Sequence, residues 1–193
     1  MSSVVISGDT SGAITVSAPA VSGTNTLTLQ AGTATNSMNT LATAVASTSG
    51  TSIDFTSLPS WVKRITVMFS GVSTSGTSLM QIQLGTGSTT YTTTGYNSGA
   101  WTANTSNSGL ITTGLILNSS SAAAANYYGN IIISGLGSNT WVESHSLGGP
   151  SGGYQSIGGG AIALAAVLTA VRITTVNGTD TFDAGSVNIL YEG

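Results

Sequence analysis

The chain has no cysteine, one histidine, three basic residues and six acidic ones among its 193 residues. Each shortage excludes something. Without cysteine there is no disulfide, no thiolate nucleophile and no cysteine-ligated metal. With three cations and a net charge of −3, a phosphate-binding surface is hard to assemble, so nucleic acid is not an expected partner. Charged residues make up 5% of the chain, against roughly 25% in an average soluble domain. The surface must therefore be built from Ser, Thr, Asn, Gly and backbone. Such a surface responds little to pH or salt and lacks the net charge that keeps proteins apart. These properties predict a chain that covers much of its surface with copies of itself or with other partners.

Long hydrophobic runs are missing too. The longest, residues 161–171, is about half of what a bilayer requires and reads as buried strand. Met1-Ser2-Ser3-Val4 carries no basic region ahead of an apolar run. Neither a signal peptide nor membrane insertion is expected.

What is present is strand signal, clearest in residues 61–69. There Lys63, Ile65, Val67 and Phe69 would point to one side, and Val62, Arg64, Thr66 and Met68 to the other. Large apolar groups on both sides predict a strand inside a sheet covered on both faces, entered through the turn Leu58-Pro59-Ser60. From Ile53 onward, eight or nine strands are expected, separated by turn signals. Residues 85–109 read as one long Gly/Ser/Thr/Asn connection, residues 148–160 as a second, and Asn177-Gly178 as the centre of a hairpin turn. No stretch makes a convincing helix there. The fold class is all-β, an N-terminal extended β segment followed by an antiparallel β-sandwich, jelly-roll-like.

Upstream, residues 13–17 and 26–30 alternate apolar and polar, but each has only one narrow apolar row. An isolated hairpin of this kind is marginal in water, so identical copies would supply the missing face. Residues 31–52 have the composition of a linker. A short helix through Met38, Leu41 and Val45, capped by Ser37, is the competing reading. The expected division is 1–52, for attachment and oligomerisation, and 53–193, the sandwich.

Two regions resemble known proteins. Gly8-Asp9-Thr10-Ser11-Gly12-Ala13-Ile14-Thr15-Val16, with Ala18-Pro19-Ala20 and the following residues to Leu29, is similar to a segment that recurs in bacteriophage tail-fibre and other virion proteins. Pro59-Ser60-Trp61-Val62-Lys63-Arg64-Ile65-Thr66 to Thr74 resembles the opening of a C-terminal module on such proteins, and Val171-Arg172-Ile173 through Asn177-Gly178-Thr179-Asp180 to Glu192 resembles its end. The resemblance implies a virion structural protein, homotrimeric, assembled in the host cytoplasm. It would join other virion proteins (baseplate, tail or capsid) through residues 1–52 and meet host polysaccharide with the distal β-domain. A capsid decoration protein without a host ligand fits the same resemblance. No catalytic or binding motif comes with it.

Candidate sites follow from residue chemistry. His145, in Glu143-Ser144-His145, shares a strand face with Glu143 and could bond it. An exposed strand-end histidine is the plainer expectation, and the chain reads as non-enzymatic. Asp180 and Asp183 lie beside a Gly-containing turn but match no calcium-loop spacing. Turn hydrogen bonding, or pairing with Arg64 or Arg172, is expected instead, and no cofactor or metal is assigned. Tyr91, Tyr96, Trp101 and Tyr154 sit in Gly/Ser/Asn-rich connections. Aromatic faces suit the apolar side of a sugar ring, and loops on a rigid sandwich suit recognition. The same residues would equally serve to pack their loops onto the domain. Tyr96, Trp101 and Tyr154 are the expected ligand contacts. Trp61 and Trp141, flanked by strand residues, are expected in the core or an interface.

Overall fold

The computed structural model describes strand residues 3–7 and 13–17, and residues 39–193 apart from 104, 124 and 150–153. The chain divides into two units, Met1–Asn36 and Ser37–Gly193. In the first, β1 (Ser3–Ser7) and β2 (Ala13–Ser17) pair antiparallel, Val5 opposite Thr15. Residues 26–30, expected as a strand, lie outside the described residues.

The second unit is an antiparallel β-sandwich, and no helix occurs among the described residues. Its large sheet contains β3 (Thr40–Leu41), β4 (Val45–Ala46), β6 (Arg64–Thr74), β8 (Asn97–Thr102), β10 (Tyr127–Gly137), β11 (Thr140–Gly149), β12 (Tyr154–Ala163) and β14 (Phe182–Glu192). The order is β3-β14-β6-β10-β11-β12-β8, with β4 beside β3 on β14. The small sheet contains β5 (Ser52–Phe55), β7 (Met80–Gly85), β9 (Leu115–Ile116) and β13 (Ala170–Thr175), in the order β5-β13-β7-β9.

Alternation decides what fills the space between the sheets. Ile65, Val67 and Phe69 of β6, Ile131 and Ile133 of β10, and Val187 and Ile189 of β14 point inward from the large sheet. They join Met80, Ile82 and Leu84 of β7 and Val171 and Ile173 of β13 in one buried cluster. Trp141 is buried in that cluster, and Trp61 packs on it from the rim against Tyr191.

Four expectations are corrected. Residues 40–46 are not linker, because β3 and β4 pair with β14 and extend the large sheet. The 85–109 connection contains β8, and the Gly-rich run before Ala161 contains most of β12. Both are rich in small residues whose strand conformation is enforced by their neighbours. Asn177-Gly178 does form a turn, with Gly178 at φ 67°, but it carries the chain from one sheet to the other, since β13 and β14 lie in different sheets. A hairpin turn in this sheet is instead Ser138-Asn139, both at positive φ, between β10 and β11. Finally, β6 does lie inside a sheet, but the small sheet covers only its Ile65–Val67–Phe69 side. Thr66 and Met68 point out and remain partly exposed.

Candidate ligand-binding surface

The outward side chains of the large sheet fall into rows fixed by register. One row runs Met68, Asn130, Ser146, Ile157, Trp101 across β6, β10, β11, β12 and β8. The next runs Thr66, Ile132, Ser144, Gly159, Gly99. A third runs Arg64, Ser134, Val142, Ala161, Asn97, with Arg64 near Glu192 at 3.6 Å on its far end. The first two rows hold no charged residue. The face displays one hollow of about 610 Å³, lined by Gly99, Trp101, Asn107 and Ile157 among others. A second, of about 470 Å³, is lined by Asn130, Ile132, Ser144 and Ser146 among others.

Trp101 is 45% exposed and its register partner Ile157 is 55% exposed. The indole is not loose. Its Nε1–H donates to the Thr105 carbonyl at 3.0 Å, and Thr105 Oγ1 donates to the Thr102 carbonyl at 2.7 Å. The connection after β8 therefore fixes the ring, and the ring's one N–H donor is already used.

Tyr96 behaves differently and corrects the expectation. It is 2% exposed. Its hydroxyl accepts from the Leu84 N–H at 2.7 Å and donates to the Thr92 carbonyl at 3.0 Å. Burial pushes its pKa up to about 12, with the Leu84 hydrogen bond opposing. Tyr96 is the anchor that packs its connection onto the domain, and it offers nothing to a ligand. Tyr154 begins β12, but its side chain lies outside the described residues.

Most of the remaining polar groups have structural partners, although Glu143 Oε2 and His145 Nε2 are buried without one. His145 is not an exposed strand-end residue. It sits in mid-strand on the inward face of β11, its Nδ1 2.6 Å from Glu143 Oε1, with neither side chain exposed. Opposite them, β12 has Gly158 and Gly160, where a Cβ would crowd the His145 ring and Ser98 respectively. Neither the Glu143 nor the His145 side chain reaches solvent. Asp180 accepts from the Ser78 N–H and from Asn177 Nδ2 and so serves the turn, while Asp183 accepts from Ser73 Oγ and ties β14 to β6. Among the described residues, no group of three or more His, Asp or Glu side chains is placed to hold a metal. Arg172 pairs with Asp54 through two bonds of 2.8 Å, and its guanidinium lies 4.0 Å from the centre of the Tyr91 ring. Asp54 is its direct cross-strand neighbour, a partner that spacing in sequence did not reveal.

Compared with known proteins, the chain matches no family model, no curated protein and no solved structure.

Proposed function

We propose that the protein is a structural component of a bacteriophage virion: a homotrimeric tail fibre whose sandwich holds the particle to polysaccharide on the host surface. The observation that carries this reading is the outer face of the large sheet. It is uncharged across two full rows and presents a fixed, half-exposed tryptophan. The stretches that resemble virion proteins support it further. Residues 59–74 and 171–192 contain β6 and β14, which pair side by side within the large sheet. Residues 1–36, a unit of their own, would attach to the particle and bring sister copies together.

Adhesion would be multivalent. Several weak sites per trimer and several trimers per particle give avidity without tight single-site binding. The test is to image purified particles labelled with an antibody against this chain. Label at the tail supports the fibre. Label over the capsid faces rejects it and makes the protein a decoration protein without a host ligand.

A further inference from the structure

Resting on the adhesion reading, we infer that the outer face of the large sheet carries a binding trough for a neutral, linear oligosaccharide, running across the strands from β10 to β8. The floor is the row Ile132, Ser144, Gly159, Gly99, in which side chains dwindle from a butyl group on β10 to nothing on β8. One wall is Ile157 and Trp101, standing in the adjacent row. The other is Val142, Ala161 and Asn97. The two hollows lie side by side on this face, Ile157 on the wall of one and its register partner Ser146 on the wall of the other. Three inter-strand steps of about 4.8 Å make a path of roughly 14 Å, the scale of a short glycan and far beyond that of one sugar ring.

Chemistry selects the ligand. The Trp101 indole has spent its only donor on Thr105, so it can stack but cannot hydrogen-bond. That suits the apolar face of a pyranose ring. Amide and hydroxyl groups line the path: Asn130, Ser144 and Ser146 in the hollow on β10 and β11, and Asn107 beside Trp101. Asn107 uses its Oδ1 on the Gly109 N–H, which leaves its amide N–H₂ to donate. These are partners for sugar hydroxyls. No cation lies on the floor or on either wall between β10 and β8, so nothing compensates a carboxylate, sulfate or phosphate, and an anionic glycan would lose hydration without repayment. A rigid aromatic with an adaptable polar surround also loses little conformational entropy on binding.

The test uses the full-length chain in its solution oligomer, on a printed array of neutral linear oligosaccharides of hexoses, deoxyhexoses and N-acetylhexosamines. Uronic-acid and sialic-acid counterparts are printed beside them, and titrations of tryptophan fluorescence follow. Neutral ligands should bind at least ~10-fold tighter than their acidic counterparts, and Trp101→Ala should weaken binding ~10-fold or more, the equivalent of about 1.4 kcal/mol. Gly99→Ser should weaken it as well by raising the floor. The nearest atom to a Cβ there is the Gly109 carbonyl oxygen at 3.4 Å, so the fold should accept it. Leu136→Ala, 69% exposed near the end of β10, should change nothing. Equal or tighter binding of acidic glycans overturns the inference. So does unchanged binding by Trp101→Ala, dissociation of the oligomer by that variant with binding intact, or an array on which no neutral glycan is bound. If no glycan is bound yet the chain still coats host cells, the trough fails and the fibre reading stands. If neutral glycans are bound in the trough but host cells are not coated, the reverse holds.

Discussion

Glu143 and His145 meet in the core of the sandwich, Oε1 to Nδ1 at 2.6 Å, with no exposure of either side chain. A chain so poor in charge has placed one of its six acids and its only histidine where water does not reach. Removing one partner strands the other in a buried site without its hydrogen bond, at a cost of about 1–3 kcal/mol. Replacing both with apolar residues avoids that penalty. Urea denaturation should therefore show Glu143→Leu destabilised by about 1–3 kcal/mol and the Glu143→Leu/His145→Leu double variant clearly less so. If the double variant loses the sum of the two single effects, the pair is not coupled.

Tyr96 makes the fold sensitive to alkaline pH. Its pKa is raised from 10.0 to about 12, chiefly by burial. A raised value means that the folded state holds the phenolic proton where the unfolded chain releases it. The contribution is present in full below about pH 10 and is lost as pH rises from 10 toward 12. With about 1.4 kcal/mol per unit, the loss is on the order of 2–3 kcal/mol. Tyr96→Phe should remove this part of the alkaline decline. At neutral pH the same variant should lower stability by about 1–3 kcal/mol, because the buried Leu84 N–H loses its acceptor. Chemical denaturation at a series of pH values reads both effects, and parallel stability–pH curves for the two proteins would refute the first.

These two sites also show where sequence reading stops. The all-β class and the central strand were legible because Ile65, Val67 and Phe69 alternate with smaller or polar residues. The strand β8 was not, because Ser98, Gly99 and Ala100 give no alternation to read. Its conformation comes from pairing with β12, which is itself glycine-rich. Gly158 and Gly160 alternate for a reason visible only in register, as they make room for the His145 ring and for Ser98. Tyr96 and Trp101 stand in the same Gly/Ser/Asn-rich surroundings, yet one is core and the other surface. What separates them is the Leu84 N–H, a group 12 residues away in sequence. The Asn177-Gly178 turn was legible as a turn, but not which sheets it joins.

The Arg172–Asp54 pair closes the outer side of the small sheet, with Tyr91 stacked over it. Both charged side chains are 31% exposed, so solvent screens part of the attraction. The fork geometry and the ring contact still set it above an ordinary surface pair. Arg172→Lys keeps the charge but loses the two-pronged bond and the flat stacking surface. It should cost about 1 kcal/mol, nearly as much as Arg172→Ala, and hydrogen exchange of the connection carrying Tyr91 should quicken in both. Full retention of stability by the lysine variant would mean that charge alone matters.

The division of the chain makes the last prediction. The core cluster of the sandwich is built from residues 53–189, and the strands that complete its large sheet begin at Thr40. A chain starting at Ser37 thus keeps β3 and β4, whose bonds to β14 include the Ala42 N–H to the Ile189 carbonyl and Ser47 Oγ to the Ala184 carbonyl. It should melt at the temperature of the full-length protein's sandwich transition. A chain starting at Ile53 loses those bonds and bares the edge of β14, with its unpaired N–H and C=O groups. It should melt lower and aggregate more readily. Calorimetry and light scattering on the two truncations separate the cases. Equal melting temperatures would mean that residues 40–47 only lie on the sheet, and a lowered melting temperature for the Ser37 chain would mean that the first 36 residues help to hold the sandwich together.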